Sequence, residues 1–269
     1  MPDKFIDVER IIASKNPRLL KWMPGFILRY LKRIIHEKEI NEFLEEHKEK
    51  KNLEFCKEVV KYFNIKVEVE GLERIPKNGK ITISMNHPLG GMDAMILVTA
   101  LEGHREDLKF IVNDILMNLD NLKDLFVGVN KVGKSKAKSH GRVLDLFKSD
   151  QAVCVFPAGL VSRKIKGQVQ DLEWKKTFVT NARKNERLIV PVFIEGRLSN
   201  FFYRLSNWRK FFGIKANIEM LYLSNELFKQ HNRTIRFKVG EAIDIGSINE
   251  NKKDKEIAVD IREKVYSLR

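Results

Sequence analysis

Cysteine is scarce: the 269 residues hold two, Cys56 and Cys154, far apart in the chain and in neither a redox nor a metal-binding spacing. The simple inference is a reducing compartment. The six histidines are scattered, with no His-Glu-x-x-His or Cys-x-x-Cys cluster, so no catalytic metal is expected. There is no Gly-x-Gly-x-x-Gly and no Walker loop, which removes the footing for a nucleotide cofactor. Internal repeats and low-complexity tracts are absent too. So are long apolar runs. The longest strongly apolar stretch, Ala94–Leu101, is far too short to span a bilayer, and the opening Met1-Pro2-Asp3-Lys4-Phe5 lacks the uninterrupted apolar core of a signal peptide. The expectation is a cytoplasmic protein whose membrane contact, if any, is peripheral, on the inner face of the cytoplasmic membrane.

Acidic residues are also in deficit. Against 36 Asp and Glu stand 50 Lys and Arg, a net charge of +14, although 43% apolar and 32% charged residues make an ordinary globular composition. The length suits one large domain, or one with appendages, around a substantial core. The surplus positive charge implies an acidic partner: anionic lipid headgroups, an acidic carrier protein or nucleic acid. A merely solvated lysine-rich surface is the competing explanation. Nucleic acid is disfavoured because the aromatics cluster with aliphatics and do not interleave with lysines as a stacking platform would.

Residues 1–64 read as an amphipathic helical segment. Trp22, Met23, Phe26, Ile27, Tyr30, Leu31, Ile34 and Ile35 recur at helical spacing among Arg18, Lys21, Arg29, Lys32 and Arg33, with Pro17 and Pro24 as breaks. From residue 65 to 245, apolar strand-like runs alternate with helices: Ile65–Gly71, Ile81–Met85, Leu108–Val112, Leu125–Val132, Ala152–Phe156, Arg187–Ile194 and Thr234–Ile245. Helices are expected at Met92–Leu101, Ser139–Lys148 and Asp171–Lys184. Such alternation predicts an α/β core: a mixed, largely parallel sheet covered by helices on both faces. Residues 246–269 add a C-terminal helix with Ile257, Ile261, Val265 and Leu268 on one side.

The chemistry concentrates in Ile81–Val98. A strand-like run ends in Asn86-His87-Pro88, crosses Gly90-Gly91, and opens an apolar helix with Asp93 in its first turn. Pro88 disfavours the α region for His87, which should therefore be extended, outside the helix. On one continuous helix the two residues would point about 240° apart, so they meet only if the glycines fold the chain back, which glycine permits. A neutral imidazole can then take a proton from a hydroxyl, while a carboxylate on its other nitrogen fixes the tautomer and stabilises the imidazolium. The alternative is a hydrogen-bonded strand-end histidine and an aspartate placed by the helix dipole. His140 could rival His87 as the base, although its lysine-rich neighbours Lys134, Lys136 and Lys138 suggest a solvated loop.

Asn86-His87 followed by Asp93 resembles the His-x4-Asp block of the 1-acylglycerol-3-phosphate (lysophospholipid) acyltransferase family. Phe156-Pro157-Ala158-Gly159 is similar to its Phe-Pro-Glu-Gly block, Phe126–Lys131 to the block between, and Ile189–Val192 to the last. The four stand in the family's order and cover roughly residues 65–245. The resemblance implies His87 as general base and Asp93 as its orienting partner. It also implies Phe156, Pro157 and Gly159 with Arg163, and Lys131, as positions that hold the acceptor. Two departures matter: five residues separate His87 from Asp93, and Ala158 stands where the family has glutamate. The second, with the basic residue displaced to Arg163, implies an acceptor other than a glycerol phosphate, such as a lysolipid built on an amino acid.

The expectation is an O-acyltransferase carrying a fatty acyl group from a thioester, acyl carrier protein or acyl-coenzyme A, to a lysolipid hydroxyl in phospholipid or amino-acid lipid synthesis. The thioester is reactive enough that no cofactor is needed. The rival is a basic protein that binds membrane or RNA and has lost catalysis. Membrane contact is expected at Trp22 and Phe26 and on the helix Ser199–Gly213. There Phe201, Leu205, Trp208 and Phe212 share a face, and Arg204 and Arg209 flank it, placed to reach phosphates. The alternative is that these aromatics pack into the protein's own core.

Overall fold

A computed structural model describes residues 4–113, 117–129, 136–248 and 251–269. The chain divides into two compact units. Residues Met1–Lys50 with Leu198–Gln230 form one, and Lys51–Arg197 with His231–Arg269 the other. The boundary expected at residue 64 thus falls near 50. The helix α5 (Asn52–Tyr62) buries Phe55, Cys56 and Val59 in the sheet-containing unit. Within the span 65–245, residues 198–230 belong to the helical unit instead.

The helical unit holds α1 (Val8–Lys15), α2 (Pro17–Trp22), α3 (Gly25–Ile35), α4 (Glu37–Glu46), α9 (Asn200–Phe211) and α10 (Leu223–Phe228). Pro17 opens α2 at its first turn, where a missing N–H costs nothing, with Asn16 capping it through Leu19 N–H. Buried Glu37 on α4 accepts from Val8 N–H at 3.1 Å and from Lys4 Nζ at 3.1 Å, tying the start of α1 to α4.

The second unit is built on one mixed sheet. Its strands are β1 (Lys66–Glu70), β2 (Ile81–Met85), β3 (Leu108–Asn113), β4 (Phe126–Val129), β5 (Ala152–Val155), β8 (Leu188–Ile194), β9 (Thr234–Val239) and β10 (Ile243–Asp244). A short hairpin of β6 (Arg163–Ile165) and β7 (Gln168–Gln170) stands apart. The order is β1-β9-β8-β2-β5-β3-β4, with β10 also on β8. Every junction along that path is parallel except β8–β9. Pro191 sits inside β8, an unusual place for a residue with no N–H to give. It falls between the β10 pairing, which ends at Ile189, and the β9 pairing, which begins at Val192.

Strands β2 and β5 are buried throughout, as central parallel strands must be. Val153, Val155, Ile189 and Phe193 pack with α7 (Lys136–Lys148), α8 (Thr177–Lys184) and α11 (Asp254–Ser267) in one apolar cluster. Their alternate neighbours Cys154, Val190 and Val192 face the other side, where α5 packs on α6 (Gly91–Ala100). At the N-terminal ends of the strands, buried Arg187 donates to the carbonyls of Ile81, Phe147, Ser149 and Gln151. Buried Arg105 does the same for those of Pro76, Gly79 and Asp150. Burial and the neighbouring Arg105 push the Arg187 guanidinium down to about 10. With that end fastened, the C-terminal ends of β2 and β5 are left for chemistry, the usual location in open parallel sheets.

Candidate active site

His87 lies two residues beyond β2, and α6 begins four residues later. Between them Gly90 takes φ 74°, ψ −138°, a conformation open essentially to glycine, and its carbonyl accepts from Asp93 N–H at 3.0 Å. The fold-back expected of the glycines is made, and it absorbs the extra residue. Asp93 Oδ2 meets His87 Nδ1 at 2.9 Å and also accepts from Leu89 N–H at 3.0 Å. Asp93 is fully buried, and its Oδ1 has no hydrogen-bond partner among the described residues. Burial raises its carboxyl above the ordinary range, opposed by the bond and charge of His87 and by the Leu89 N–H, while the charge of Asp171 pushes the same way as burial.

The imidazole is held on a second side. Phe156, which directly follows β5, stacks on it with centroids 4.0 Å apart and planes 23° from parallel. Asn86 clamps the strand end: its amide accepts from Ile194 N–H at 2.7 Å and donates to Ile194 O at 2.9 Å. With Nδ1 committed to a carboxylate, Nε2 is the nitrogen that can take a proton. The His87 side chain is 17% exposed, enough to meet a ligand without being surrounded by water.

Of the residues expected to hold the acceptor, Phe156, Pro157 and Gly159 lie in the loop that wraps His87. Pro157 is buried, and Gly159 is exposed at φ 67°. Ala158 packs into the apolar cluster beside Trp174 and Phe178, so a glutamate side chain at that position would enter a dry environment. Arg163 is placed differently from a surface cation. It is 1% exposed, and its Nη1 donates to Val161 O at 2.5 Å, so the guanidinium is engaged with its own loop. Lys131 and Lys134 lie outside the described residues. His140 is exposed on α7.

Three residues at the site were not singled out from the sequence. Asp171 is 1% exposed and accepts from His87 N–H, Ser162 Oγ and Trp174 Nε1. Ser162 returns a bond from its N–H to His87 O at 2.8 Å. Lys175, on the same segment as Asp171, donates its N–H to Pro157 O at 3.1 Å and carries its ammonium over Gly159, 3.4 Å from where a Cβ there would stand. The sequence predicts a helix over Asp171–Lys184, but α8 begins at Thr177. The freed segment is what brings Asp171 and Lys175 to the site.

A family model described as "Acyltransferase" matches residues 10–269. The chain belongs to the acyltransferase family. The enzyme is 42% identical over 266 residues to the lyso-glycine lipid O-acyltransferase of Bacteroides thetaiotaomicron, covering 98% of this chain and 97% of that one. It is 40% identical over 266 residues to the protein of the same name from Phocaeicola vulgatus, with 98% and 95% covered. The crystal structure of the 1-acyl-sn-glycerophosphate acyltransferase from Thermotoga maritima shares the fold: TM-score 0.50, 20% identity, 80% of this chain and 79% of that one covered.

Proposed function

We propose that the enzyme transfers a fatty acyl group from a thioester, on acyl carrier protein or coenzyme A, to the hydroxyl of a lyso-glycine lipid, with His87 as the general base. The observation that carries this reading is the 2.9 Å His87–Asp93 contact closed by Gly90, in a chain 42% identical to a lyso-glycine lipid O-acyltransferase. As the acceptor oxygen attacks the thioester carbonyl, its proton passes to His87 Nε2 and Asp93 stabilises the imidazolium. The carbon–sulfur bond then breaks, and the thiolate leaves with that proton. Ester and free thiol are the products. The thioester supplies the activation, so neither metal nor organic cofactor is called for.

A lipid built on the amine of glycine keeps a carboxylate. In this reading the carboxylate meets the ammonium of Lys175 above the Gly159 turn, because the guanidinium of Arg163 is already engaged with Val161 O. The lipid is reached from a membrane surface. No described helix is long and apolar enough to cross a bilayer. The helical unit instead exposes Trp22, Phe26, Phe201, Trp208 and Phe212, which supports peripheral attachment to a membrane surface.

The test is purified enzyme with lyso-glycine lipid and each thioester, followed by mass spectrometry of the acylated product. His87→Ala should lower turnover by about 10²–10⁴-fold while the protein still folds, with a lower melting temperature from the lost Phe156 stack and Asp93 bond. Turnover within tenfold of wild type would overturn the assignment of the base. Lys175→Ala should raise KM for the acceptor more than it lowers kcat, the pattern of lost uniform binding.

A further inference from the structure

Proton transfer from the acceptor through His87 and Asp93 leaves one buried carboxylate at the site without a task. Asp171 Oδ1 accepts from His87 N–H at 3.2 Å and from Ser162 Oγ at 2.5 Å, and Oδ2 accepts from Trp174 Nε1 at 2.9 Å. The N–H groups of His87 and Trp174 can only donate, and one falls on each oxygen. That arrangement suits the ionised form. Burial holds this carboxyl above the ordinary range, and the bonds from Ser162, Trp174 and His87 offset part of that rise.

His87 therefore stands between two carboxylates, Asp93 on its ring and Asp171 on its main chain. Both ends of the loop 156–162 are gathered at the same point: Phe156 stacks on the ring, and Ser162 bonds both His87 O and Asp171. The other charged and titratable groups against Asp171 come from α11. Tyr266 Oη accepts the Asp171 N–H at 2.7 Å, and Arg262 Nη2 donates to Asp171 O at 2.9 Å. The cation thus meets the main chain, and the Asp171 carboxylate forms no ion pair among the described residues. A neutral acceptor would have fastened the loop at lower desolvation cost.

We propose that Asp171 is a positioning residue for acyl transfer and the second anionic support of its base. It holds the His87 main chain in register with the Phe156–Ser162 loop, and its charge joins that of Asp93 in stabilising the imidazolium formed in the transition state. The proposal rests on His87 being the base.

The experiment compares kcat, KM and the pH profile of kcat/KM for Asp171→Asn and Trp174→Phe in the full-length enzyme, beside His87→Ala. Asp171→Asn should lower kcat by about a hundredfold, the scale of a small misplacement at a reacting centre, with KM within about twofold. Its acidic limb should move to lower pH, since an imidazolium that has lost a neighbouring anion gives up its proton more readily. Trp174→Phe removes one bond but keeps the carboxylate, so its limb should stay with the wild type. The amide introduced by Asp171→Asn turns an N–H₂ toward the Trp174 N–H. If the single variant does not fold, the pair Asp171→Asn with Trp174→Phe removes that conflict and is read the same way. An acidic limb that stays in place, with a rate loss no greater than that of Trp174→Phe, would reduce Asp171 to a loop fastener and overturn the proposal. Full activity in His87→Ala would instead remove the base on which it rests.

Discussion

Gly90 carries more of the active-site geometry than either residue it brings together. Its φ of 74° and ψ of −138° turn the chain back between strand and helix, so that residues six apart meet at 2.9 Å. A Cβ is strained there by on the order of 1–3 kcal/mol. Gly90→Ala should therefore lower the melting temperature and reduce transfer together, whereas Gly91→Ala, with nothing within 4 Å of a Cβ, should do neither; equal behaviour of the two would show that the turn is not the constraint. Asp93 gives a second prediction, with a definite sign. Its carboxyl is raised by burial, so the native state holds that proton more tightly than the unfolded chain does. The resulting stabilisation is complete below the ordinary carboxylate range and disappears as pH rises through the raised native value. An amide has no such loss. In denaturant melts Asp93→Asn should gain stability relative to wild type as pH goes from about 4 to 7, while transfer collapses. A flat difference would mean that the bond to His87 outweighs burial. The pair was legible in the sequence because proline and glycine constrain the backbone locally. Asp171 was not, because its donors come from His87, 84 positions away, and from loop atoms that no periodicity marks.

At the scale of elements, strands were easier to read than helix faces. Uniformly apolar runs such as Ala152–Val155 admit one role, a strand covered on both sides. An amphipathic helix offers two candidate stripes, and on α9 the buried one is Phe202, Tyr203, Ser206 and Arg209. Of the four residues expected to share the outer face, Phe201, Trp208 and Phe212 are exposed and Leu205 is half-buried, whereas Arg209, expected on the flank, is buried. It lies against fully buried Glu219 with Nε 2.8 Å from Oε2, and its Nη1 donates to Ile214 O. The physical reason is that Glu219, on the turn after α9, needs a cation where water cannot reach. Arg209→Ala should then cost about 3–5 kcal/mol, the penalty for stripping one partner from a buried ion pair, and should show as a large fall in unfolding midpoint. Arg204→Ala, an exposed change, should leave the midpoint where it is. If the two variants melt alike, the Arg209–Glu219 contact contributes nothing.

The whole molecule joins a net charge of +14 to a helical unit that exposes large aromatic side chains. Trp22 is 83% exposed, Trp208 70% and Phe211 84%, levels that no core-packing explanation accommodates. The rows on α3 and α9 belong to one surface, because Tyr222 bonds the Tyr30 hydroxyl at 2.8 Å and packs edge-on to Phe201 with centroids 4.9 Å apart. Arg29 and Arg33 line an open hollow with Phe26, Ile27 and Tyr30, which places guanidinium groups beside apolar rings as an anionic lipid surface requires. Burying rings in the interface supplies a salt-insensitive term, and each basic residue near an anionic surface adds about 1 kcal/mol that salt screens. The two can be separated. Wild-type protein should sediment with vesicles containing anionic lipid, bind neutral vesicles more weakly, and lose the difference as salt is raised. Trp208→Ala with Phe212→Ala should weaken binding to both vesicle types at every salt concentration without lowering the melting temperature, since both rings are mostly exposed. A double variant that binds like wild type but melts earlier would return these rings to a structural role and leave the attachment to charge alone.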